Sequence, residues 1–296
     1  MAYLTVAIEN STDIKIHYND YGEGRPVVLI HGYPFSATAW EKEETHLLNS
    51  GYRVISYDRR GFGLSSHPSK NYNYDTFASD LNKLMNELNL YDAILIGHSM
   101  GSGEITRYLS KYGSDRVSGA IFISPIPPFL LKTNDNPDGV DQSIFEDIKK
   151  SIKKDRYAFL TDFLKNFYNS EKTMGPLLSQ EKLRADFHLA ASASPIATFQ
   201  CVDTWLTDFR NDLPKINVPS LIIHGDDDRI LPLEATSERL AREINARLVI
   251  VPEGSHGIPW THAELINEEI VKFLEEVGPN LEAAQKRDQN PGAQLQ

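Results

Sequence analysis

Residues 93–103, Ala-Ile-Leu-Ile-Gly-His-Ser-Met-Gly-Ser-Gly, decide the fold. Ala93 to Ile96 is a short apolar run, Gly97-His98-Ser99-Met100-Gly101 sets a serine between two glycines, and Ser102 to Tyr112 places apolar residues at helical spacing. A strand that turns sharply into a helix needs glycine two residues either side of its apex, because side chains there would collide with neighbouring backbone. The serine then stands at a helix start, where N–H groups and the positive dipole end face a developing oxyanion. A Gly-rich turn with an ordinary capping serine is the plainer reading, and the strand-to-helix context disfavours it.

Outward from this turn, the same rhythm repeats. Pro26 to Ile30, Arg53 to Tyr57, Ala120 to Ser124, Ser220 to His224 and Arg247 to Val251 read as buried strands. Near-continuous apolar runs of that length suit a parallel sheet covered on both faces. Between them, Tyr74 to Asn89 carries Phe77, Leu81, Leu84, Met85 and Leu88 at helical spacing, and Glu234 to Ile244 behaves similarly. The rhythm stops between Pro125 and Val218, where the text is helical, aromatic and charged. The expected architecture is therefore α/β. A mostly parallel central sheet with helices on both faces takes residues 1–125 and 218–277, and a helical cap takes 126–217. The polar, Gln-rich segment 278–296 is expected to be poorly ordered.

Composition limits what such a domain can do. With 296 residues, 41% hydrophobic and 24% charged, the chain can bury a substantial core, either one large α/β domain or two small ones. Lys and Arg number 30 against 41 Asp and Glu, a net charge of -11 that repels phosphate backbones and anionic lipid. Neither nucleic acid nor a membrane is an expected partner. The single cysteine, Cys201, excludes an intrachain disulfide and a Cys-based structural zinc. The first eleven residues carry no basic region ahead of an apolar run, so no secretory signal is visible. The most apolar stretch, Ala120 to Leu131, is broken by three prolines and falls short of the about 20 residues a bilayer requires. A cytoplasmic protein is expected.

A nucleophilic serine needs a base, and the base an orienting carboxylate. Two loops after strands supply them: Gly225-Asp226-Asp227-Asp228-Arg229-Ile230-Leu231-Pro232 and Gly254-Ser255-His256-Gly257. Open α/β sheets place their sites at such C-terminal strand ends. The aspartate run also reads as a cation site or a solvated turn, although a metal calls for more widely spaced ligands. His256 also reads as a loop histidine. Serine, acid and histidine in this order are more specific than any one of them. After the strand Pro26 to Ile30 comes His31-Gly32-Tyr33-Pro34, from which a second oxyanion donor is expected, so the backbone N–H groups of Tyr33 and Met100 are assigned to that hole. His31 reads as a loop brace in preference to a second base. Asp58 to Gly63 lacks the G-x-G-x-x-G order of a phosphate loop and reads as a structural turn. His98, Cys201 and the aromatic residues of 126–217 read as packing residues, with some of those aromatics expected to line an acyl pocket.

With these residues in hand, the sequence resembles the α/β-hydrolase superfamily. Within it the chain is most similar to the cofactor-free haloperoxidases, also called non-haem chloroperoxidases or perhydrolases. The resemblance runs from about Tyr18 to Leu274. It is carried by His31-Gly32-Tyr33-Pro34 with Trp40, by Tyr57-Asp58-Arg59-Arg60-Gly61-Phe62-Gly63, and by Tyr74-Asp75-Thr76-Phe77 with Asp80-Leu81. The cap adds Asp135-Asn136-Pro137-Asp138-Gly139-Val140, Thr161-Asp162-Phe163 and Lys165-Asn166-Phe167-Tyr168-Asn169. The resemblance implies a serine esterase that also accepts hydrogen peroxide and makes a peracid from a small carboxylic acid or ester. The peracid then oxidises halide in solution. It implies Ser99 as nucleophile, His256 as base and Asp228 as the acid, three residues after Gly225. It implies no haem, flavin or metal. This chain departs from many relatives in carrying His98 where they carry Phe.

Pro34 restricts the backbone of Tyr33, so the Tyr33 carbonyl becomes a fixed acceptor for the distal hydroxyl of peroxide, and acceptor selectivity is expected there. A lactamase or lactonase of the same fold, and a ligand receptor on a hydrolase scaffold, are the alternative readings. A homo-oligomer is compatible with the sequence.

Overall fold

The computed structural model describes residues 2–279, so positions 280–296 of the segment expected to be poorly ordered lie outside the described residues. Eight strands form one sheet: β1 (Ala2–Glu9), β2 (Thr12–Tyr21), β3 (Pro26–Ile30), β4 (Arg53–Tyr57), β5 (Ala93–His98), β6 (Val117–Ile123), β7 (Ser220–Gly225) and β8 (Arg247–Val251). Their spatial order is β1-β2-β4-β3-β5-β6-β7-β8. From β4 to β8 every neighbouring pair is parallel, while β1 with β2 and β2 with β4 are antiparallel.

The parallel strands are apolar throughout because alternate residues serve two different cores. Val27, Leu29, Ile94 and Ile96 pack with Leu47 of α1 (Glu41–Asn49) and with Ile266, Ile270 and Phe273 of the C-terminal helix Ala263–Val277. Val28, Ile30 and Leu95 pack on the other face with Phe77 and Leu81 of α2 (Tyr74–Glu87) and Ile105 and Leu109 of α3 (Met100–Tyr112). Each such side chain contributes about 1.5–3 kcal/mol by burial. A one-residue slip would exchange the two sets and is therefore strongly opposed.

The first two strands were not among the runs read from the sequence. Most of their side chains are exposed or half-buried and only Val6, Ile14, Ile16 and the polar His17 are buried, so their text mixes polar and apolar residues. Asn10 and Ser11 join them with positive φ at both positions, the geometry of a two-residue hairpin turn.

Between β6 and β7 no strand joins the sheet, and the chain instead forms α4 (Gln142–Lys154), α5 (Arg156–Tyr168), α6 (Ser170–Thr173), α7 (Gln180–Ser192) and α8 (Pro195–Thr204). Side chains of Asp141, Asp155, Ser179 and Ser194 cap α4, α5, α7 and α8 by accepting from first-turn N–H groups. These helices send aromatic rings to the loop after β3. Tyr33 meets Trp205 at 4.8 Å and Phe163 at 5.6 Å between centroids, and Phe35 meets Phe167 at 5.1 Å. They thus lie over the C-terminal edge of the parallel strands. After β7 come α9 (Ser237–Ile244), α10 (Ile258–Thr261) and α11, the helix Ala263–Val277. No described helix is long and apolar enough to cross a membrane.

Candidate active site

Strand β5 runs two residues further than its apolar core, pairing Gly97 with Phe122 and His98 with Ile123 of β6. This carries the strand geometry up to Ser99, which sits at φ 53 and ψ −115, and α3 begins at the next residue. So sharp a turn brings backbone against backbone. A Cβ at Gly101 would lie 2.2 Å from the Ile30 carbonyl oxygen, so only glycine fits there. Ser99 N–H donates to the Ile123 carbonyl at 2.8 Å, and its own carbonyl accepts from the Ser102 hydroxyl. The apex is therefore held from both sides.

The aspartate run resolves into three different environments. Asp228 Oδ2 accepts from His256 Nδ1 at 2.6 Å and from His224 Nε2 at 3.0 Å. Its Oδ1 accepts the N–H groups of Ile230 and Leu231 at 2.8 and 2.9 Å. Burial alone would push this carboxyl up, but the flanking imidazoles outweigh it and hold Asp228 well below the usual carboxylate range. Asp227 instead faces α6, accepting from Lys172 at 2.5 Å and from the side chain of the preceding Asn169 at 2.8 Å. Asp226 is exposed.

His256 is fully buried and its Nε2 has no hydrogen-bond partner, so the imidazole is oriented at one nitrogen and unengaged at the other. The edge of Phe167 lies 5.0 Å from it, and the following Gly257 N–H donates to the Phe167 carbonyl at 2.9 Å. The loops carrying acid and base touch through glycines: a Cβ at Gly225 would lie 2.1 Å from the Gly254 carbonyl oxygen.

On the other side of Ser99, His31 Nε2 accepts the Arg59 N–H at 3.0 Å, which leaves Nδ1 to donate to the Gly32 carbonyl at 2.8 Å. Both ring nitrogens are engaged, and burial with the neighbouring Arg59 pushes its pKa well below the ordinary value. His31 is thus a loop brace. It is reinforced by Arg59 Nη2, which donates to the His31 carbonyl at 2.9 Å, and by Arg59 Nε, which donates to buried Glu104 at 2.8 Å. The Tyr33–Pro34 peptide is cis. Met100 is the first residue of α3, so its N–H is one of those the helix itself leaves unpaired. The turn from Asp58 to Gly63 is structural: Asp58 accepts the N–H groups of Ala37 and Leu64 at 2.8 Å each, and Arg60 forms a two-bonded ion pair with Asp80.

Ser99 opens on a cavity of ≈ 330 Å³ walled by Tyr33, Ile126, Phe145, Phe163, Trp205 and Leu231, with Asp162, Asn166 and Arg229 as its polar lining. Aromatic residues of the inserted helices thus line it, as expected. Cys201 is buried away from solvent, and burial pushes its thiol up to about 12, which rules it out as a rival nucleophile. Among the described residues no three His, Cys, Asp or Glu side chains are grouped to hold a metal ion.

Two histidines go beyond the sequence reading. His224, the last residue but one of β7, binds the acid, and its signal was a polar residue closing the apolar run Leu221–Ile223. His98 does pack, with Trp40 and Phe167 at its ring, but its Nε2 also lies 3.0 Å from the His256 carbonyl oxygen. Burial and the nearby His256 push its pKa down to about 3, so it stays neutral.

Residues 25–263 match the family described as alpha/beta hydrolase fold. A Synechocystis sp. protein provisionally named a non-heme chloroperoxidase is 56% identical over 276 residues, 93% of this chain and 100% of that one. A bifunctional esterase/perhydrolase of Acinetobacter calcoaceticus is 32% identical over 278 residues, 93% of this chain and 99% of that one. The crystal structure of bromoperoxidase from Bacillus anthracis is similar with a TM-score of 0.89 and 42% identity, covering 93% of this chain and 99% of that one.

Proposed function

The chain belongs to the alpha/beta hydrolase fold family, among relatives named non-heme chloroperoxidases, and on that premise we propose that it is a serine ester hydrolase with perhydrolase activity. The observation that carries this reading is the Asp228–His256 hydrogen bond of 2.6 Å, with the His256 ring 4.9 Å from that of His98, the residue before a serine at a strand-to-helix apex that opens on an apolar cavity.

In the proposed mechanism His256 Nε2 takes the proton of Ser99 while the serine oxygen attacks the carbonyl of an ester or small carboxylic acid. The tetrahedral oxyanion is received by the N–H groups of Tyr33 and Met100. His256 then protonates the departing alcohol or hydroxide, leaving an acyl-enzyme. Asp228 keeps the imidazole in the tautomer with Nδ1–H and stabilises the imidazolium. Water or hydrogen peroxide gives a proton to His256 and attacks the acyl carbon. Collapse returns that proton to Ser99 and frees an acid or a peracid, and the peracid oxidises halide in solution.

Residues 126–217, with helices α4 to α8, act in this reading as a cap over the sheet, and their aromatic side chains receive the acyl group. The cytoplasm is the proposed site of action, supported by the net charge of -11 and the single buried cysteine.

A panel of short-chain p-nitrophenyl esters, and acetate with peroxide, tests the proposal on the purified protein. Turnover of both is expected, with Ser99→Ala lowering kcat by on the order of 10⁶. A fluorophosphonate is expected to add once to the wild type and not to Ser99→Ala. Labelling elsewhere, or an acylation that stops after one equivalent, would overturn it in favour of another nucleophile or a ligand receptor.

A further inference from the structure

One imidazole joins the three loops from which the site is built. His98 is the last residue of β5 and the immediate neighbour of Ser99, and it is 5% exposed. Its Nε2 lies 3.0 Å from the main-chain oxygen of His256, 158 positions away in the chain. A carbonyl oxygen only accepts, so the proton is on Nε2 and Nδ1 is bare. That bare nitrogen faces the oxyanion loop, where a Cβ on Gly32 would lie 2.9 Å from it. The His98 and His256 rings are 4.9 Å apart and tilted by 41°. Trp40 and Phe167 present edges to the His98 ring at 6.3 and 5.8 Å and limit its movement.

The other ties of the base loop run elsewhere. His256 is bound through Nδ1 to Asp228, the Asp227 N–H donates to the Gly254 carbonyl at 3.0 Å, Gly257 N–H reaches the Phe167 carbonyl, and the Trp260 and Thr261 N–H groups donate to the Gly257 carbonyl. None of these bonds connects it to the strand that carries the nucleophile. We propose that His98 is a positioning residue that sets the base against the nucleophile by hydrogen-bonding the His256 backbone from the residue next to Ser99. The inference rests on Ser99 and His256 acting as proposed above. A carbon ring of similar size at 98 would fill the same space and leave the His256 carbonyl buried without a donor. The titratable groups around the His98 ring are His256 and, beyond it, Asp228 and His224, with His31 on the oxyanion loop.

The test compares His98→Phe and His98→Gln with the wild type. The glutamine amide reaches as far as Nε2 and keeps a donor. Steady-state ester hydrolysis is measured across pH, with thermal melting as the control on folding and the histidine rings titrated by NMR. His98→Phe is expected to lower kcat about fivefold with KM unchanged, the loss appropriate to one net hydrogen bond. His98→Gln should recover most of kcat. In the wild type, the His98 ring should show a proton on Nε2 and no titration between about pH 5 and 9. Unchanged kcat in His98→Phe would overturn the proposal, as would a kcat loss shared equally by His98→Gln. A wild type without esterase activity would defeat the functional reading alone, because NMR still reads whether the His98 Nε2 proton is bound to the His256 carbonyl.

Discussion

His224 Nε2 lies 3.0 Å from Asp228 Oδ2, the same oxygen that receives the His256 Nδ1–H. His224 Nε2 faces only acceptors, this carboxylate and the Leu231 carbonyl at 3.1 Å, so a neutral ring carries its proton there and takes the Ser237 hydroxyl, 2.6 Å away, at Nδ1. The acid is thus held by an imidazole from the strand that leads into its loop, four residues earlier, and a buried carboxylate without that donor would be short of one charge-assisted hydrogen bond. Replacing His224 by Phe is expected to lower kcat by about 10- to 100-fold, matching the loss of such a bond, with KM little changed. Steady-state kinetics and the rate of Ser99 labelling should fall together, and wild-type rates in the variant would exclude the role.

The three consecutive aspartates should separate cleanly. Asp228→Asn is expected to cost about 10⁴ in kcat, because an amide presents the wrong partner to His256 Nδ1–H. Asp227→Asn weakens contacts to Lys172, Asn169 and Arg229, and Asp226 is exposed, so both should stay within a few-fold of wild type. Equal losses at all three would contradict the geometry.

Glu43 predicts a pH dependence of stability that has nothing to do with catalysis. It is fully buried in α1, neither carboxyl oxygen has a hydrogen-bond partner, and burial pushes it from 4.5 up to about 8, against the pull of Lys42 and Lys182. The native chain therefore keeps a proton that the unfolded chain releases, and stability falls as pH rises from about 4.5 to about 8. Glu43→Gln removes this dependence. Calorimetry should find the gain in Tm over wild type larger at pH 8 than at pH 5, and equal gains would refute the assignment.

Pro34→Leu is expected to lower the ratio of perhydrolysis to hydrolysis several-fold while leaving ester hydrolysis intact or improved. The reasoning is that one net hydrogen bond from peroxide to the Tyr33 carbonyl, about 1 kcal/mol, favours peroxide over water roughly fivefold. Measuring kcat/KM for both acceptors in wild type and variant checks it. An unchanged ratio would reduce Pro34 to a stiffener of the loop.

The parallel strands and the Ser99 turn were legible in the chain because their causes are local. A strand buried on both faces writes its burial as a continuous apolar run, and Gly97 and Gly101 are required by clashes within a few residues of the apex. The β1–β2 hairpin escaped because its exposed side chains break that run, and α1 and α11 went unread although they cover one whole side of the sheet. Among Asp226, Asp227 and Asp228 residue type carries no distinction, and only the family resemblance pointed to Asp228. In the fold the distinction is plain: one carboxylate faces two imidazoles, the next faces a lysine, and the third faces water. The links from His224 to the acid and from His98 to the base required more than the linear text. A histidine near a strand end reads the same whether it packs or binds, and which it does depends on where loops are folded, for His224 the one directly after its strand and for His98 one 158 positions away, which is a matter of tertiary packing and not of local preference.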